Sequence, residues 1–450
     1  MRYDAIIIGA GQAGPPLAYG MADKGWKVAL VEKGELGGTC VNNGCTPTKT
    51  MVHRAQVAHY ARNSRRWGIE TGEVKIDLSK IVEQKNAVIQ HSRDYHEKSI
   101  EDRATLDLHK GTARFLSPTQ VDVDGKALSS EKIFINTGAR PAIPAIPGLE
   151  DVPYYTNLNI MDLAEVPDHL VIVGGGYIGL EFGQMYARFG SKVTILQSSN
   201  QIAPREDADI AEVLQKALEE EGIEFVLNAK IEKVYQDLKV ALKEAKSVQG
   251  SHLLIATGRT PNTEALQLDR AGVQADERGY VKVDHKLQTN VPGIWALGDV
   301  NGGPAFTHIS YNDFQIVSGN LLDGQDLSTA DRIISYCMFT DPQLGGVGMT
   351  EKEARSKGYK LKIGTAPMSW VARARERDEM AGRMKLVVDA SNDKILGATV
   401  LGVEGGEVVQ ILGTTMLTDV PYTSLKKQIF IHPTLAEGLF FLVDEVKPTD

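Results

Sequence analysis

The sequence predicts an α/β protein with two similar parallel-sheet domains followed by an α+β domain. A βαβ pattern occurs twice, at residues 3–34 and 168–199, and an apolar strand ending in a small-residue turn follows each copy far downstream. From about residue 331 the chain changes to strand-like and helical runs that carry no glycine fingerprint. The length of 450 residues agrees with about three domains, since a domain usually holds roughly 100–200 residues.

The two βαβ units align without a gap at a spacing of 165 residues. Their matching glycines are Gly9, Gly11, Gly14 and Gly25 in the first unit and Gly174, Gly176, Gly179 and Gly190 in the second. In a G-x-G-x-x-G turn the glycines allow the sharp bend, the approach of a pyrophosphate and close packing of helix on strand. The phosphate then lies at a helix N-terminus. The repeat therefore predicts two dinucleotide sites.

The two units differ at the end of their second strand. Glu32 can accept hydrogen bonds from a ribose diol, which suits the adenosine half of FAD. The matching Gln197 carries no charge to repel a 2′-phosphate, which Ser198, Ser199 or Arg205 could contact. We therefore expect NADPH rather than NADH at the second site, although a glutamine can accompany either nucleotide.

Three downstream strands complete this organisation. KIFINTGARP (132–141) and HLLIATGRTP (252–261) are interpreted as the strands that close the first and second domains. GIWALGDV (293–300) has no fingerprint of its own, and we expect it to return the chain to the first domain.

A close cysteine pair in GGTCVNNGCTPTKT (37–50) is the main chemical candidate. Cys45 precedes Thr46-Pro47 at a predicted helix start, where proline is tolerated and the helix dipole lowers the pKa of a thiol. Cys40, with only a predicted VNNG turn between, can close a small redox disulfide with Cys45. Three cysteines are too few for a structural disulfide framework.

Two other interpretations of the pair stay open. Cys40 and Cys45 could bind a zinc-like ion together with His53 or His59, or they could be inert buried thiols. Cys337 lies in the apolar run IISYCMFT and is predicted to be a small buried hydrophobe.

Composition limits the partners and the location. A net charge of −9 argues against nucleic acid and anionic membranes as partners, because both attract clustered Lys and Arg. No apolar run approaches the roughly 20 residues of a membrane span, and Met1 leads into a strand rather than a signal peptide. We expect a cytoplasmic protein.

Together, GGTCVNNGCTPTK, GGGYIGLEFG, ATGRTPN, ALGDV and HPTLAEG resemble the motifs of the pyridine nucleotide-disulfide oxidoreductase family, which includes glutathione reductase, dihydrolipoamide dehydrogenase and mercuric reductase. The resemblance extends from residue 3 to about 440. It implies two Rossmann-like dinucleotide-binding domains, with FAD in 1–148 and 264–330 and NAD(P) in 149–263. A C-terminal α+β dimerisation domain, 331–450, would join two subunits in a homodimer with a shared active site and no bound metal.

The resemblance also implies roles for individual residues. Cys45 resembles the thiol that contacts the flavin and forms its charge-transfer complex, and Cys40 resembles the interchange thiol that attacks substrate. Lys49 and Glu181 resemble the ion pair beside the flavin N5 atom.

Four further residues match positions with known roles in the family. Tyr177 resembles the gate over the nicotinamide pocket, and Asp299 resembles the residue that binds the ribityl chain. His432 and Glu437 resemble the acid-base pair supplied by the other subunit. The predicted cofactor-binding residues are Gly9, Gly11, Gly14, Glu32, Lys33, Gly38, Thr39, Lys49, Thr137, Gly138, Asp299, Gly174, Gly176, Tyr177, Gly179, Gln197, Ser198 and Gly258.

The predicted function is electron transfer from NAD(P)H through FAD to a Cys40–Cys45 disulfide, and then to a disulfide, a metal ion or a quinone. GQAGPPLA and residues 368–389 resemble mercuric reductase, but the tail FLVDEVKPTD lacks the vicinal cysteines with which those enzymes capture Hg(II). The acceptor is a small molecule or a small protein. The alternatives are a dihydrolipoamide dehydrogenase, an NAD(P)H oxidase or diaphorase that discharges the flavin directly, and a metal-binding redox sensor.

Overall fold

The computed structural model describes residues 1–449 and contains two parallel sheets and one large antiparallel sheet, each packed against helices. The first eight strands are β1 Ala5–Ile8, β2 Val28–Glu32, β3 Leu106–Lys110, β4 Ala113–Ser117, β5 Gln120–Val123, β6 Lys126–Ser129, β7 Ile133–Ile135 and β8 Ala139–Pro141. The helices among them are α1 Gly14–Asp23, α2 Gly38–Asn43, α3 Cys45–Asn63 and α4 Leu78–Glu101.

The middle of the chain contributes eight more strands and two helices. The strands are β9 His169–Val173, β10 Lys192–Leu196, β11 Glu224–Val226, β12 Ile231–Val234, β13 Lys239–Leu242, β14 Ser247–Gln249, β15 His252–Ile255 and β16 Arg259–Pro261. The helices are α5 Tyr177–Phe189 and α6 Ala208–Glu220.

The last part of the chain begins with a strand that belongs to the first sheet. Its strands are β17 Ile294–Ala296, β18 Ser335–Met338, β19 Gln343–Gly348, β20 Leu361–Pro367, β21 Arg383–Asp389, β22 Ile395–Gly402 and β23 Lys447–Pro448. Its helices are α7 Thr307–Leu322, α8 Glu351–Ser356, α9 Ala372–Glu376, α10 Gly405–Leu417 and α11 Gly438–Asp444.

The two parallel sheets follow the repeated βαβ pattern. The first has the order β17-β7-β1-β2-β3 and the second the order β11-β10-β9-β15, with all neighbours parallel. The central strands β1 and β9 are almost entirely buried, as apolar strands covered on both faces should be. The predicted α/β class, with two Rossmann-like units, is confirmed.

Two short strands link these sheets. β8 and β16, which follow the two small-residue turns, pair with each other in antiparallel register. β17 lies beside β7, so residues 294–296 complete the first sheet. The domain boundaries given above remain predictions from the sequence.

The third sheet is antiparallel, with the order β18-β19-β22-β21-β20-β23. Side chains of this sheet and of α10 and α11 share one apolar cluster. A second cluster joins α3 and the second sheet to Met338 and Leu344 of the third, so the three parts pack on one another. Among residues 1–449, no helix is both long and apolar enough to cross a membrane.

Candidate active site

The first glycine of each fingerprint stands where no other residue fits. Gly9 and Gly174 have φ values of +107° and +113°. A Cβ atom on them would lie 2.2 Å from the Asn136 carbonyl oxygen and 2.3 Å from that of Ala256. Both turns therefore pass equally close to the first residue after the strand that pairs with their own strand, which is β7 in the first sheet and β15 in the second. The sequence repeat thus extends to three dimensions.

Space remains beside both turns for a bound dinucleotide. A Cβ atom on Gly138, Gly176 or Gly258 would meet no atom within 4 Å. The hydroxyl oxygen of Thr137 is buried without a hydrogen-bond partner, and a ligand in the first turn could supply one. Gly138, Gly176 and Gly258 thus leave open space beside the turns, and Thr137 offers an unsatisfied hydroxyl at the first, which fits the pyrophosphates of FAD and a nicotinamide nucleotide.

Glu32 and Gln197 make the same backbone contact in the two copies. A Glu32 carboxylate oxygen accepts a hydrogen bond from the Ala10 amide at 2.7 Å, and the Gln197 amide oxygen accepts one from the Gly175 amide at 2.8 Å. The amide nitrogen of Gln197 donates to Ser199 Oγ at 2.5 Å. Gln197 therefore supports its turn as Glu32 does, but without a negative charge.

The start of α2 packs on the first turn. A Cβ atom on Gly38, whose φ is +59°, would lie 2.7 Å from the Gly11 Cα atom, so this contact requires glycine. Thr39 is the next residue of α2, and Lys33 is exposed just beyond Glu32.

Asn136 is a buried residue of the first site that sequence reasoning missed. Its side-chain oxygen accepts a hydrogen bond from the Gly14 amide at 2.9 Å, and its nitrogen donates to the Leu297 carbonyl at 2.8 Å. It therefore ties the glycine turn to the segment after β17. The available signal was the contrast between INTG in the first copy and IATG in the second.

The cysteine pair lies where two helices meet, and one expectation about it is wrong. Cys40 is inside α2 and Cys45 begins α3, so VNNG is mostly helix rather than a turn. Asn42 favours the helix because its side chain donates to the Gly38 carbonyl at 2.9 Å. Only Gly44 breaks the helical path, and a Cβ atom there would lie 2.7 Å from the Thr39 carbonyl oxygen.

The two thiols differ strongly in acidity. A hydrogen bond from Cys40 lowers the pKa of Cys45 to about 6, and the Thr307 hydroxyl and the positive charge of Lys49 act in the same direction. The same contact, together with burial, raises the pKa of Cys40. Thr307 Oγ1 lies 3.1 Å from Cys45 Sγ and was not foreseen from the sequence. All three cysteines are free thiols in this structure.

Lys49 and Glu181 form an ion pair close to the thiols. Lys49 lies one turn after Cys45 on α3, and its Nζ atom is 2.6 Å from Glu181 Oε2. The other Glu181 oxygen accepts a hydrogen bond from the Phe339 amide at 2.8 Å. Burial opposes the charge of Lys49, but Glu181 outweighs burial and raises the pKa of the ammonium group.

Tyr177 is the first residue of α5, directly after Gly176. Its hydroxyl donates a hydrogen bond to Glu206, and its ring lies 5.9 Å from the ring of Tyr336 at an interplanar angle of 29°. Glu206 is a second buried residue that sequence reasoning missed, since nothing around it in the sequence resembles a motif.

Comparison with known proteins decides the family. A model described as "Pyridine nucleotide-disulphide oxidoreductase" matches residues 3–313, and the model of that family's dimerisation domain matches residues 334–440. The chain is a pyridine nucleotide-disulphide oxidoreductase. It is therefore an enzyme that uses FAD and a nicotinamide nucleotide, and a dimerisation domain follows its two dinucleotide-binding units.

The oxidoreductase is similar to proteins with several names. It is 39% identical to the probable pyridine nucleotide-disulfide oxidoreductase RclA of Escherichia coli, covering 99% of this chain and all of that protein. It is 35% identical to a mercuric reductase of Bacillus cereus, covering 97% of this chain and 70% of that protein. It is 34% identical to a dihydrolipoyl dehydrogenase of Thermus scotoductus, covering 97% of this chain and 96% of that protein.

Solved structures agree with these relationships. The oxidoreductase matches the Cu(II) complex of the HOCl-induced flavoprotein disulfide reductase RclA from Escherichia coli with a TM-score of 0.90 and 39% identity. That alignment covers 98% of this chain and all of the other.

Asp299 of the oxidoreductase lies in a partly buried charged cluster. Its carboxylate is 3.2 Å from the Arg259 guanidinium, and burial raises its pKa. The neighbouring Gly298 amide donates to the Asp313 carboxylate at 2.8 Å, and Asp313 pairs with Arg332 at 2.6 Å. Asp313 therefore positions the backbone that carries Asp299.

The His432–Glu437 pair is assembled on the surface of the oxidoreductase. The imidazole Nδ1 atom is 2.8 Å from the Glu437 carboxylate, and the His432 side chain is 71% exposed. Ile429 and Ile431, close by in the chain, are 96% and 76% exposed. Within residues 1–449, no hydrogen bond joins this pair to either thiol of the same chain.

Residues 1–449 of the oxidoreductase do not assemble the zinc-like set, and Cys337 has charged neighbours. In the described chain, no cluster of His, Cys, Asp and Glu could hold a metal ion, and His59 instead faces Glu221 at 3.6 Å. Cys337 is partly buried, as a small hydrophobe would be, but it lies near the ion pair. Burial raises its pKa to about 12, and the charges of Glu181 and Lys49 also act on it.

Proposed function

We propose that this oxidoreductase passes electrons from NAD(P)H through FAD to a Cys40–Cys45 disulfide, and from that pair to a disulfide, a metal ion or a quinone. One observation carries the proposal: two thiols, one with a lowered pKa and one with a raised pKa, meet at the α2–α3 break beside the Lys49–Glu181 ion pair. Inert buried thiols would not need such an arrangement.

FAD would lie along the first glycine turn. Glu32 is placed for the ribose, Thr137 and Gly138 for the pyrophosphate, and Asp299 for the ribityl chain. When bound, the flavin supplies two-electron transfer between the nicotinamide and the disulfide. The chain itself supplies the binding, the orientation and the charges around the thiols.

The pKa shifts agree with the proposed reduction of the disulfide. Two electrons and one proton convert the Cys40–Cys45 disulfide to one thiol and one thiolate. The lowered pKa of Cys45 and the raised pKa of Cys40 assign the thiolate to Cys45. Lys49 stabilises that thiolate by its charge, and Glu181 orients Lys49.

The second site is proposed to prefer NADPH. The Gln197 side chain is already bonded to the Gly175 amide and to Ser199, so its role is to support the turn. Ser198 and Arg205 are exposed around it and are available to a 2′-phosphate. A glutamate at position 197 would place a negative charge there, so we expect Gln197→Glu to shift the preference toward NADH.

The acid-base pair is proposed to act across a homodimer. The match to the family's dimerisation domain and the exposed Ile429 and Ile431 support burial of this surface by a second copy. His432 would then move protons for Cys40 of the other subunit while Glu437 orients the imidazole.

The acceptor is proposed at the level of its chemical class. A metal ion is the first candidate, because the similar RclA structure is a Cu(II) complex. Reduction of a small cyclic disulfide such as lipoamide to its dithiol is the second candidate, supported by 34% identity to a dihydrolipoyl dehydrogenase. A cytoplasmic location remains a prediction from the sequence.

An anaerobic titration with NADPH, and separately with NADH, tests the proposal. We expect flavin reduction followed by a long-wavelength thiolate–flavin band, and loss of that band in Cys45→Ser with FAD still bound. Cys337→Ser removes the third thiol and should keep the band. A flavin that bleaches without the band, together with full turnover in Cys40→Ser/Cys45→Ser, would instead support direct discharge of the flavin.

The acceptor is then found by turnover with a panel. Cu(II), Hg(II), lipoamide, a small aromatic disulfide and a benzoquinone each represent one acceptor class. Rates that depend on Cys40 identify acceptors of the thiol pair, and a colourless protein that binds no FAD would contradict the proposal.

A further inference from the structure

Glu206 is a buried carboxylate that two tyrosine hydroxyls share. Its side chain is 3% exposed. The Tyr177 hydroxyl donates to one carboxylate oxygen, and the Tyr336 hydroxyl donates to the other at 3.1 Å. We call these three residues the Glu206 bridge. Tyr177 begins α5 beside the second sheet and Tyr336 belongs to β18 of the third, so the bridge joins two parts of the chain.

The loop that carries Glu206 is fixed on both sides. The Ala203 amide donates to the Gly175 carbonyl at 2.8 Å, which ties the loop to the second glycine turn. Asp207 pairs with the buried Lys385 of β21 at 3.1 Å and accepts hydrogen bonds from the first amides of α8. Glu206 is therefore an acceptor held in a fixed place beside the second glycine turn, from which Tyr177 begins α5.

Aromatic rings connect the bridge to the thiol site. The Phe306 ring lies 6.0 Å from the ring of Tyr336 at 13°, and 6.4 Å from that of Tyr177. Phe306 immediately precedes Thr307, whose hydroxyl contacts Cys45. Tyr177, Tyr336 and Phe306 thus form one three-ring cluster, which Phe306 connects to the residue beside the reactive thiol.

We propose that Glu206 is a positioning residue that holds Tyr177 in place over the nucleotide pocket, and that Tyr336 keeps the carboxylate bonded when Tyr177 moves aside. The inference rests on the proposed function, in which the turn from Gly174 to Gly179 binds the nicotinamide nucleotide. Nucleotide entry then breaks one of the two hydrogen bonds to Glu206 and leaves the other intact.

The two hydroxyls have opposite effects on opening. Burial raises the pKa of Glu206, whereas the hydrogen bonds from Tyr177 and Tyr336 stabilise its carboxylate. A hydrogen bond to a carboxylate is stronger than one to a neutral amide, so Glu206 favours the closed position of Tyr177. A buried carboxylate without any hydrogen-bond partner is strongly destabilising, so the hydrogen bond from Tyr336 stabilises the open position, in which Tyr177 no longer contacts Glu206. Weakening the acceptor should ease nucleotide entry, whereas removing the Tyr336 hydroxyl should hinder it.

The dissociation constants of NADP⁺ and NAD⁺, measured by calorimetry on the FAD-loaded protein, test the inference without turnover. Glu206→Gln should lower the dissociation constant by about fivefold, and Tyr336→Phe should raise it by about fivefold. KM for the reduced nucleotide should follow, with kcat at saturation unchanged. Tyr177→Phe should lower the dissociation constants as Glu206→Gln does, and the double variant should bind no more tightly than either single variant.

Glu379→Gln is the matched control. Tyr60 donates to Glu379 in the same kind of contact, but Tyr60 lies about 22 Å further along α3 than Cys45. This variant should leave both dissociation constants unchanged. Equal constants in all variants, or shifts of Glu206→Gln and Tyr336→Phe in the same direction, would overturn the inference alone. An unaltered protein that binds neither nucleotide would overturn the proposed function as well.

Discussion

Lys49 Nζ lies 2.6 Å from Glu181 Oε2, so a positive charge from α3 and a negative charge from α5 meet beside Cys45. The two charges act on the thiol in opposite directions: Lys49 lowers the pKa of Cys45 and Glu181 raises it. A substitution of Lys49 or of Glu181 should therefore change the pKa of Cys45.

Lys49→Met and Glu181→Gln should move the pKa of Cys45 in opposite directions. Loss of the ammonium group removes a stabilising charge and raises the thiol pKa, whereas loss of the carboxylate charge lowers it further. The absorbance of the thiolate, or its alkylation rate, followed against pH in the reduced protein measures both shifts. Two shifts of the same sign would show that the ion pair acts only by supporting the local fold.

Cys40→Ala should raise the pKa of Cys45 more than Thr307→Val does. The hydrogen bond from Cys40 is the largest cause of the lowered pKa, and the Thr307 hydroxyl is a smaller one. Loss of the Thr307 bond should move the pH profile of the thiolate upward by about one pH unit. Thr307→Ser keeps a hydroxyl and is the control. An unmoved profile in Thr307→Val would contradict the assigned contact.

The reduced protein should gain stability as the pH rises from about 6 toward 9. The folded state lowers the pKa of Cys45 from 9.0 to about 6, so ionisation stabilises the fold, and this gain is lost as the pH falls through 6. The raised pKa of Cys40 has no effect below its unfolded value of 9.0. Urea unfolding of the reduced protein and of Cys45→Ser at several pH values isolates the contribution, which should be missing in the variant.

Asn136→Ala should weaken FAD binding and destabilise the first domain by about 1–3 kcal/mol. The change leaves the Leu297 carbonyl without its donor and frees the Gly14 amide from one of its acceptors. FAD content after dialysis and the midpoint of thermal unfolding measure the two effects. Asn320→Ala, in an exposed loop contact with Leu327, is the matched control and should retain FAD.

Lys385→Met should destabilise the protein by about 3–5 kcal/mol. The buried ammonium group lies 2.7–3.1 Å from three carboxylates, those of Asp207, Asp209 and Glu351, which would then repel one another. Lys394→Met removes an exposed pair with Asp419 and should cost less than about 1 kcal/mol. Equal unfolding free energies for the two variants would mean that the Lys385 cluster contributes no more than a surface pair.

The sequence predicts the glycine turns well because their backbone conformation requires glycine at fixed positions in a short segment. Gly9 and Gly174 are required by a positive φ and by the close approach of a carbonyl, so the pattern repeats wherever the geometry repeats. Lys49 follows Cys45 by one turn of α3, and Glu181 follows Tyr177 by one turn of α5, so each motif fixes a spacing within its own helix. The contact of Lys49 with Glu181 joins the two helices and does not follow from either spacing.

Contacts between distant parts of the chain could not be predicted in this way. Glu206 is 29 residues from Tyr177 and 130 from Tyr336, and no periodic pattern connects them. The VNNG segment was misjudged because Asn and Gly favour turns, whereas contacts of Asn42 with the Gly38 carbonyl and with Arg93 on α4 stabilise a helix there.

The position of β17 affects how the chain folds during synthesis. The first sheet lacks its last strand until residues 294–296 have left the ribosome, and by then the whole second sheet has been made. The edge of β7 therefore stays unpaired while roughly 160 residues are translated, which takes on the order of 10 s. An inserted unit that folds promptly shortens the chain path between β7 and β17, and an exposed parallel edge is a site for pairing with other chains. Mutations that slow folding of the second unit should therefore lead more chains to aggregate through the open edge of the first sheet. They should lower the yield of folded protein even where the properties of the folded enzyme are unchanged.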